Sequence, residues 1–119
     1  MESPKKSKKD LGNEQFKLKN YADAIKLYSE AIDENPTDHT LYGNRSASYH
    51  NMRLFDKALE DGEICVHLSP SWAKGYQRKA MALHGLDRLQ EAFLTFEEAL
   101  KLDPSSSQIQ QGISAVMKS

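Results

Sequence analysis

The chain repeats itself with a period of 34 residues. Three sets of residues recur at that separation: prolines at Pro36, Pro70 and Pro104, alanines at Ala24, Ala58 and Ala92, and small residues at Ala31, Cys65 and Ala99. Self-similarity at a fixed period of this length indicates a stack of supersecondary units, each of which buries its apolar face against its neighbours. We therefore expect units at about 5–38, 39–72 and 73–106, within a domain over 5–117 that follows a short tail at 1–4.

Each unit carries the apolar spacing of α-helices. In the first unit, apolar residues recur every three or four positions: Tyr21, Ala24, Ile25, Tyr28 and Ile32. This spacing places them on one helix face, and the prolines with their Asn, Ser and Asp neighbours predict turns between helices. No segment alternates polar and apolar residues as a strand would. We predict an all-α fold, an α-solenoid of three helix-turn-helix repeats with a capping helix over about 107–117.

The period, together with small residues and prolines at fixed positions of every unit, resembles the tetratricopeptide repeat (TPR) family over nearly the whole chain. The Trp that is usual at the fourth position of the family's repeat is replaced here by Lys8, Tyr42 and Tyr76. The resemblance implies that the first helix of each unit lines a concave groove and that the second helix faces outward.

Charge is sorted between these two sets of helices. The first-helix windows, 5–18, 39–52 and 73–86, hold nine basic and two acidic residues. The second-helix windows, 19–38, 53–72 and 87–106, hold six basic and fourteen acidic residues. Because the whole chain has a net charge of only −1, this segregation predicts a local field on the groove side that attracts an anionic partner. The acidic second set argues against a nucleic-acid partner.

Hydrogen-bond donors share helix faces within the first-helix windows. Two triplets have the helical spacing i, i+4, i+7: Lys9, Asn13 and Phe16, and Lys74, Arg78 and Met81. Asn44 stands one period before Arg78. Lysine, arginine and asparagine offer many donors and, apart from the amide oxygens, no acceptors. Such a set suits carboxylates, because hydrogen bonds between ionised partners are the stronger ones.

This set is similar to the two-carboxylate clamp of chaperone-binding TPR domains. The motifs that carry the similarity are Lys9-Asp10-Leu11-Gly12-Asn13, Gly43-Asn44-Arg45-Ser46-Ala47 and Lys74-Gly75-Tyr76-Gln77-Arg78-Lys79. The family's clamp pattern is matched at five positions: Lys9, Asn13, Asn44, Lys74 and Arg78. The resemblance implies an adaptor or co-chaperone that binds the C-terminal Glu-Glu-Val-Asp tail of heat-shock protein 70 or 90 class chaperones. The alternative is a TPR scaffold that binds an unrelated internal segment of a partner protein.

Selectivity is expected from the twelfth position of each unit, which Phe16, His50 and His84 occupy. Phe16 would wall an apolar pocket for the valine of the ligand. The two imidazoles would contact upstream ligand residues and gain charge at mildly acidic pH; the competing interpretation is that they are solvated or packing side chains. Three further residues complete the predicted lining: Ala47, Asn51 and Met81. Close relatives often carry a basic residue where Asn51 stands, which leaves the preferred chaperone class open.

Nothing in the sequence predicts an enzyme. Glycine-rich nucleotide loops and a nucleophile elbow are absent, and the four histidines and the single cysteine lack metal-ligand spacing. We therefore predict no catalytic residue, metal or cofactor. Cys65 is expected to be buried, and Trp72 is expected to be a packing residue rather than a ligand platform. Three acidic residues are expected to form an outer solvated face: Glu60, Asp61 and Glu63.

The sequence also limits the cellular location that we expect for the chain. One cysteine allows no internal disulfide and is typical of a reducing compartment, so we expect a cytoplasmic location. We also expect a monomer. The basic segment 4–9 leaves a nuclear location as an alternative. No apolar run is long enough to predict a membrane-spanning helix.

Overall fold

The computed structural model describes residues 5–119; the predicted tail at 1–4, with the first residue of the basic segment, lies outside the described residues. Seven α-helices cover most of that span, which contains no strand. In chain order they are α1 (Lys8–Lys17), α2 (Tyr21–Glu34), α3 (His39–Asn51), α4 (Phe55–Leu68), α5 (Ala73–Gly85), α6 (Leu89–Leu102) and α7 (Ser107–Lys118). The predicted all-α fold, three helix pairs followed by one more helix, is confirmed.

The helices stack in two layers. Each helix packs on the next one in the chain, and α3 also contacts α1 and α5, while α7 contacts both α6 and α5. Among the described helices, the even-numbered ones make no comparable contact with one another. The odd-numbered helices therefore approach each other on the concave side of an elongated molecule of 53 × 26 × 23 Å.

Small residues at the repeat positions allow the helices of each pair to approach closely. Ala24, Ala58 and Ala92 are fully buried, as the 34-residue pattern predicted. Gly62 of α4 lies against the backbone of α5, where an added Cβ would stand 2.9 Å from the Cα of Lys79. The approach of α4 to α5 thus requires a residue without a side chain at that position.

The 34-residue period extends to the backbone of the turns. Lys19, Arg53 and Asp87 stand one period apart and all adopt a left-handed conformation, with φ of 63°, 61° and 61°. Each follows the end of the first helix of its pair and lets the chain reverse into the second helix. The starts of α1, α3 and α7 are capped by the side chains of Ser7, Asp38 and Ser106.

Two packing predictions are confirmed, and one prediction about an outer face is partly wrong. Cys65 is fully buried, and Trp72 packs edge-on against His39 with 4.8 Å between ring centroids. Glu60 and Glu63 are exposed as expected, but Asp61 is only 2% exposed.

The burial of Asp61 has a specific partner as its cause. Its two carboxylate oxygens accept hydrogen bonds from Nε and Nη2 of Arg45 at 2.7 and 2.8 Å. Arg45 also donates to the hydroxyl of Ser29 at 3.0 Å, which ties α2, α3 and α4 together. A carboxylate tolerates such burial only when it is paired and hydrogen-bonded. The sequence hypothesis missed this pairing because the two residues are 16 positions apart on different helices.

Candidate functional site

A groove of about 530 Å³ opens on the concave side between α1, α3, α5 and α7. Its lining residues are Phe16, His50, Lys74, Gln77, Arg78, Met81, His84, Phe96, Gln108, Gln111, Gly112 and Ala115. Six of the eleven predicted site residues belong to this lining, and none of the lining residues is acidic. The groove therefore combines apolar walls with two permanent cations, a surface that suits an anionic ligand with apolar side chains.

Arg78 lines the groove and has an unsatisfied donor that is buried below the groove surface. Its Nε is buried and has no hydrogen-bond partner among the described residues. Burial lowers the pKa of Arg78, while the neighbouring Cys65 and Tyr28 act in the opposite direction. An arginine nevertheless stays protonated in proteins. A buried cationic donor without an acceptor is costly, by about 1–3 kcal/mol, so the unliganded fold carries a local defect at Arg78.

The two predicted asparagines contact each other, and neither is part of the groove lining. The side-chain Nδ2 of Asn44 on α3 donates to Oδ1 of Asn13 on α1 at 3.2 Å. The same Oδ1 accepts a hydrogen bond from the hydroxyl of Tyr28 on α2 at 2.6 Å. Three helices therefore fix the position of this amide pair.

Lys9 is held by an internal carboxylate. Its Nζ donates to Oδ2 of Asp38 at 3.1 Å, and Oδ1 of Asp38 accepts from the backbone N–H and the hydroxyl of Thr40 at the start of α3. Burial alone would raise the pKa of the Asp38 carboxyl, but the hydrogen bonds from Thr40 and Lys9 outweigh burial and lower that pKa below its usual value. Asp38 therefore stays ionised at neutral pH and pairs with Lys9 in the unliganded chain.

The two histidines lie on the groove, in different surroundings. His50 packs edge-on against Phe55 with 5.3 Å between ring centroids. Burial lowers the pKa of His50, and the positive charge of Arg78 and the nearby His84 and Arg53 lower it further. His84 is within hydrogen-bond distance of the hydroxyl of Ser119, at 2.8 Å between Nε2 and Oγ. Contact of either imidazole with a ligand stays a prediction.

The remaining predicted residues divide between the lining and its surroundings. Phe16 lines the groove and packs edge-on against Tyr21 with 5.5 Å between ring centroids, and Met81 lies in the same lining. Ala47 is buried and Asn51 is exposed, with the Nδ2 of Asn51 donating to the carbonyl of Ala47 within α3. Neither of these two residues is part of the groove lining.

Sequence reasoning missed the contribution of α7 to the groove. It assigned this helix only a capping role, and the burial of Ile109 and Val116 fits that role. Four other residues of the same helix line the groove, together with one from α5 and one from α6: Gln108, Gln111, Gly112 and Ala115, with Gln77 and Phe96. The i, i+3 spacing of two glutamines was the available signal, but uncharged amides are also the normal content of a solvated face.

The charge of the groove comes from fewer residues than the window count indicated. Arg45 points to Asp61, and Lys6 and Lys8 pair with Glu14 and Glu30 on the outside of the first repeat. Lys79 lies on another surface, with Tyr76 and α6. Of the basic residues in those windows, Lys74 and Arg78 line the groove, and Lys9 is paired with Asp38 outside the lining.

Two other classes of site have no counterpart in residues 5–119. No group of His, Cys, Asp and Glu side chains has the arrangement of a metal site there. No helix in this span has the length and apolar character needed to cross a bilayer.

Comparisons with known proteins point to one family. The tetratricopeptide repeat family matches residues 6–38 and again residues 73–106. The Hsp70-Hsp90 organising protein of Plasmodium falciparum is 41% identical over 108 residues, which cover 91% of this chain and 43% of the relative. The chain spans less than half the length of the curated relatives it matches.

Two solved structures are similar in fold and carry bound peptides. The first TPR domain of Spaghetti (RPAP3), bound to the HSP90 peptide SRMEEVD, has a TM-score of 0.88 and 30% identity, covering 93% of this chain and 88% of that one. The second TPR domain of human RPAP3, in complex with the HSP70 peptide SGPTIEEVD, has a TM-score of 0.88 and 31% identity, covering 95% of this chain and 94% of that one.

Proposed function

The chain belongs to the tetratricopeptide repeat family, and on that premise we propose that it is a peptide-binding co-chaperone module. Its ligand is the acidic C-terminal Glu-Glu-Val-Asp tail of heat-shock protein 70 or 90 class chaperones. The terminal carboxylate and the last Asp side chain of that tail bind to a two-carboxylate clamp made of Lys9, Asn13, Asn44, Lys74 and Arg78. The module comprises residues 5–117.

The observation that carries this proposal is that Lys74 and Arg78 both line a groove whose lining contains no acid. Lys74 stands one helical turn before Arg78 and lines the same groove. Two cations without an internal acid in the lining match a ligand that brings two carboxylates close together. An ordinary internal peptide segment has no terminal carboxylate and would satisfy this pair less well.

The similar structures support the chemical class of the ligand. Both bound peptides named above end in Glu-Glu-Val-Asp, and both belong to heat-shock chaperones. The groove of this chain also offers apolar walls from Phe16 and Met81 next to its cations. These walls suit the valine of such a tail and the apolar residue that precedes its two glutamates.

The proposed role is that of a non-enzymatic adaptor in the cytoplasm. The groove is an open channel along a solenoid, and its lining among the described residues contains no serine, threonine or cysteine. Binding a peptide in this way needs affinity and selectivity. A rigid row of donors provides both, because little side-chain entropy is lost when the peptide binds.

Calorimetry with two versions of one tail peptide tests the proposal. We expect the free acid to bind with a micromolar dissociation constant, on the order of −7 to −8 kcal/mol. The C-amidated peptide lacks one of the two carboxylates and should bind at least about tenfold more weakly, which corresponds to about 1.4 kcal/mol. Equal affinity for the two peptides would exclude the clamp and favour a scaffold that binds internal segments.

A further inference from the structure

The hydroxyl of Tyr28 has a single hydrogen-bond acceptor within reach among the described residues. Tyr28 is 1% exposed, and its Oη lies 2.6 Å from Oδ1 of Asn13. A buried hydroxyl that does not donate would carry a desolvation cost of about 1–3 kcal/mol. The Tyr28 proton therefore belongs to the hydrogen bond with Asn13.

The surroundings of Tyr28 fix the direction of this hydrogen bond. Burial raises the pKa of Tyr28 to about 12, although the positive charge of Arg78 acts in the opposite direction, so the hydroxyl is protonated at neutral pH. A protonated hydroxyl can donate, and Oδ1 of Asn13 is the acceptor at hydrogen-bond distance. The proton is left for Asn13.

The direction matters because an asparagine amide has two ends of nearly equal shape and opposite polarity. Its oxygen accepts and its nitrogen donates, and a rotation of 180° about χ2 exchanges them. With Oδ1 of Asn13 held by Tyr28 and also by Nδ2 of Asn44, the end that remains for an anion is the Nδ2 donor. The opposite orientation would present an oxygen to a carboxylate and repel it.

The repeats of the chain provide an internal comparison at these two positions. One and two periods after Asn13 and Tyr28, the chain has Ala47 with Gly62 and Met81 with Phe96. Phe96 is buried like Tyr28, but the residue at the position facing it is apolar. The aromatic hydroxyl therefore occurs only in the repeat in which an amide stands opposite it.

We propose that Tyr28 is a positioning residue of the carboxylate site, which sets the polarity of the Asn13 and Asn44 side chains so that they act as donors. The inference rests on the function proposed above. Tyr28 itself touches no ligand atom and acts through Asn13.

Two tyrosine variants separate positioning from stability. Tyr28→Phe removes the hydroxyl that faces Asn13, and Tyr42→Phe removes a hydroxyl that donates to the carbonyl of Pro36 at 2.8 Å. Both variants lose one partly buried hydrogen bond, so we expect similar small losses of thermal stability. Tyr28→Phe should lower affinity for the free-acid peptide about threefold to tenfold, because the donor orientation of Asn13 is no longer enforced. Tyr42→Phe should leave this affinity within about twofold of wild type.

A cycle with Asn13→Ala tests whether Tyr28 acts through the amide. In that background Tyr28→Phe should change affinity no further, since the group that it orients is gone. An equal loss from Tyr28→Phe in both backgrounds, or equal affinities of the two tyrosine variants, would overturn the inference.

The side-chain amide NMR signals of Asn13 and Asn44 keep the two proposals distinguishable. If wild type did not prefer the free acid over the amidated peptide, the proposed function would fail, and these signals would still decide the orienting role. A shift of both signals in Tyr28→Phe but not in Tyr42→Phe supports that role. Unchanged signals in Tyr28→Phe contradict it.

Discussion

Lys9 and Asp38 form an ion pair between α1 and the cap of α3, with 3.1 Å between Nζ and Oδ2. In the unliganded chain one of the five proposed clamp residues is thus bound to a carboxylate of the protein itself. A ligand carboxylate that approaches Lys9 must share it with Asp38. Asp38 then opposes binding, because two like charges at a distance of about 5 Å in water repel by nearly 1 kcal/mol.

The variant Asp38→Asn should strengthen peptide binding. Asparagine keeps an oxygen that can cap α3 through the N–H of Thr40, so the fold loses little, while the negative charge disappears. We expect affinity for the free-acid peptide to rise about threefold, in line with the repulsion that is removed. Glu97→Gln on α6 removes the same charge from an exposed position outside the groove and is the matched control. A weaker complex in Asp38→Asn would mean that the pair orients Lys9 rather than competing for it.

The variant Arg78→Met should change peptide affinity and the free energy of unfolding in opposite directions. Arg78→Met keeps much of the side-chain volume and removes the buried Nε that lacks a partner. We expect the free energy of unfolding to rise by about 1 kcal/mol and peptide affinity to fall by about 1.5–3 kcal/mol, the usual range for a hydrogen bond to a charged group.

Lys79→Met is the control for Arg78→Met, because it removes a cation from the same helix on another surface. Chemical denaturation and calorimetry on both variants give the two quantities. A destabilised Arg78→Met protein would show that the guanidinium has internal partners in solution.

The repeat register and the helix pairs follow from side-chain size and spacing, which the sequence displays directly. Ala24 and its two equivalents predicted the close approach of the helices, because a small residue that recurs at a fixed period indicates a position where two helices touch. The groove-facing positions of Lys74 and Arg78 were predictable for a similar reason, since residues four apart share a helix face.

The partners of polar side chains were not predictable in the same way. Arg45 was counted with the groove cations, yet it lies between α3 and α4 and binds Asp61. Lys9 was assigned to an external ligand, yet it also has the internal partner Asp38. A charged side chain is long, and its partner is chosen by helix packing that brings residues together from distant parts of the chain. Sequence spacing alone contains no information on that choice.

The pH dependence of the fold should reflect His50. Because its pKa in the folded chain is lowered below the usual value of 6.5, its contribution to the free energy of unfolding is complete above pH 6.5 and is lost as the pH falls through the folded pKa. His50→Gln should therefore flatten the decline in stability between about pH 7 and pH 5. His67→Gln, at an exposed position on α4, removes an imidazole outside the groove lining and is the matched control.

Peptide affinity should increase as the pH falls, whereas the free energy of unfolding decreases. The charges that lower the His50 pKa include Arg78, and a bound carboxylate offsets that charge. Binding then raises the pKa of His50, so protons are taken up and affinity increases as the pH falls from about 7.5 to 6, while the ligand carboxylates stay ionised. An affinity that decreases over this range, measured in buffers of constant ionic strength, would contradict the location of His50 beside the bound anion.

The Arg45–Asp61 pair should be the most sensitive polar contact of the scaffold. Asp61→Asn leaves the guanidinium of Arg45 largely buried without its counter-charge, which typically costs about 3–5 kcal/mol. Glu60→Gln, the adjacent exposed position, should change stability by less than about 0.5 kcal/mol. Because burying the pair is itself costly, the double variant Arg45→Met with Asp61→Leu should recover most of the loss. Failure of the double variant to recover would show that the hydrogen bond from Arg45 to Ser29, which links α2 to α3, contributes independently of the ion pair.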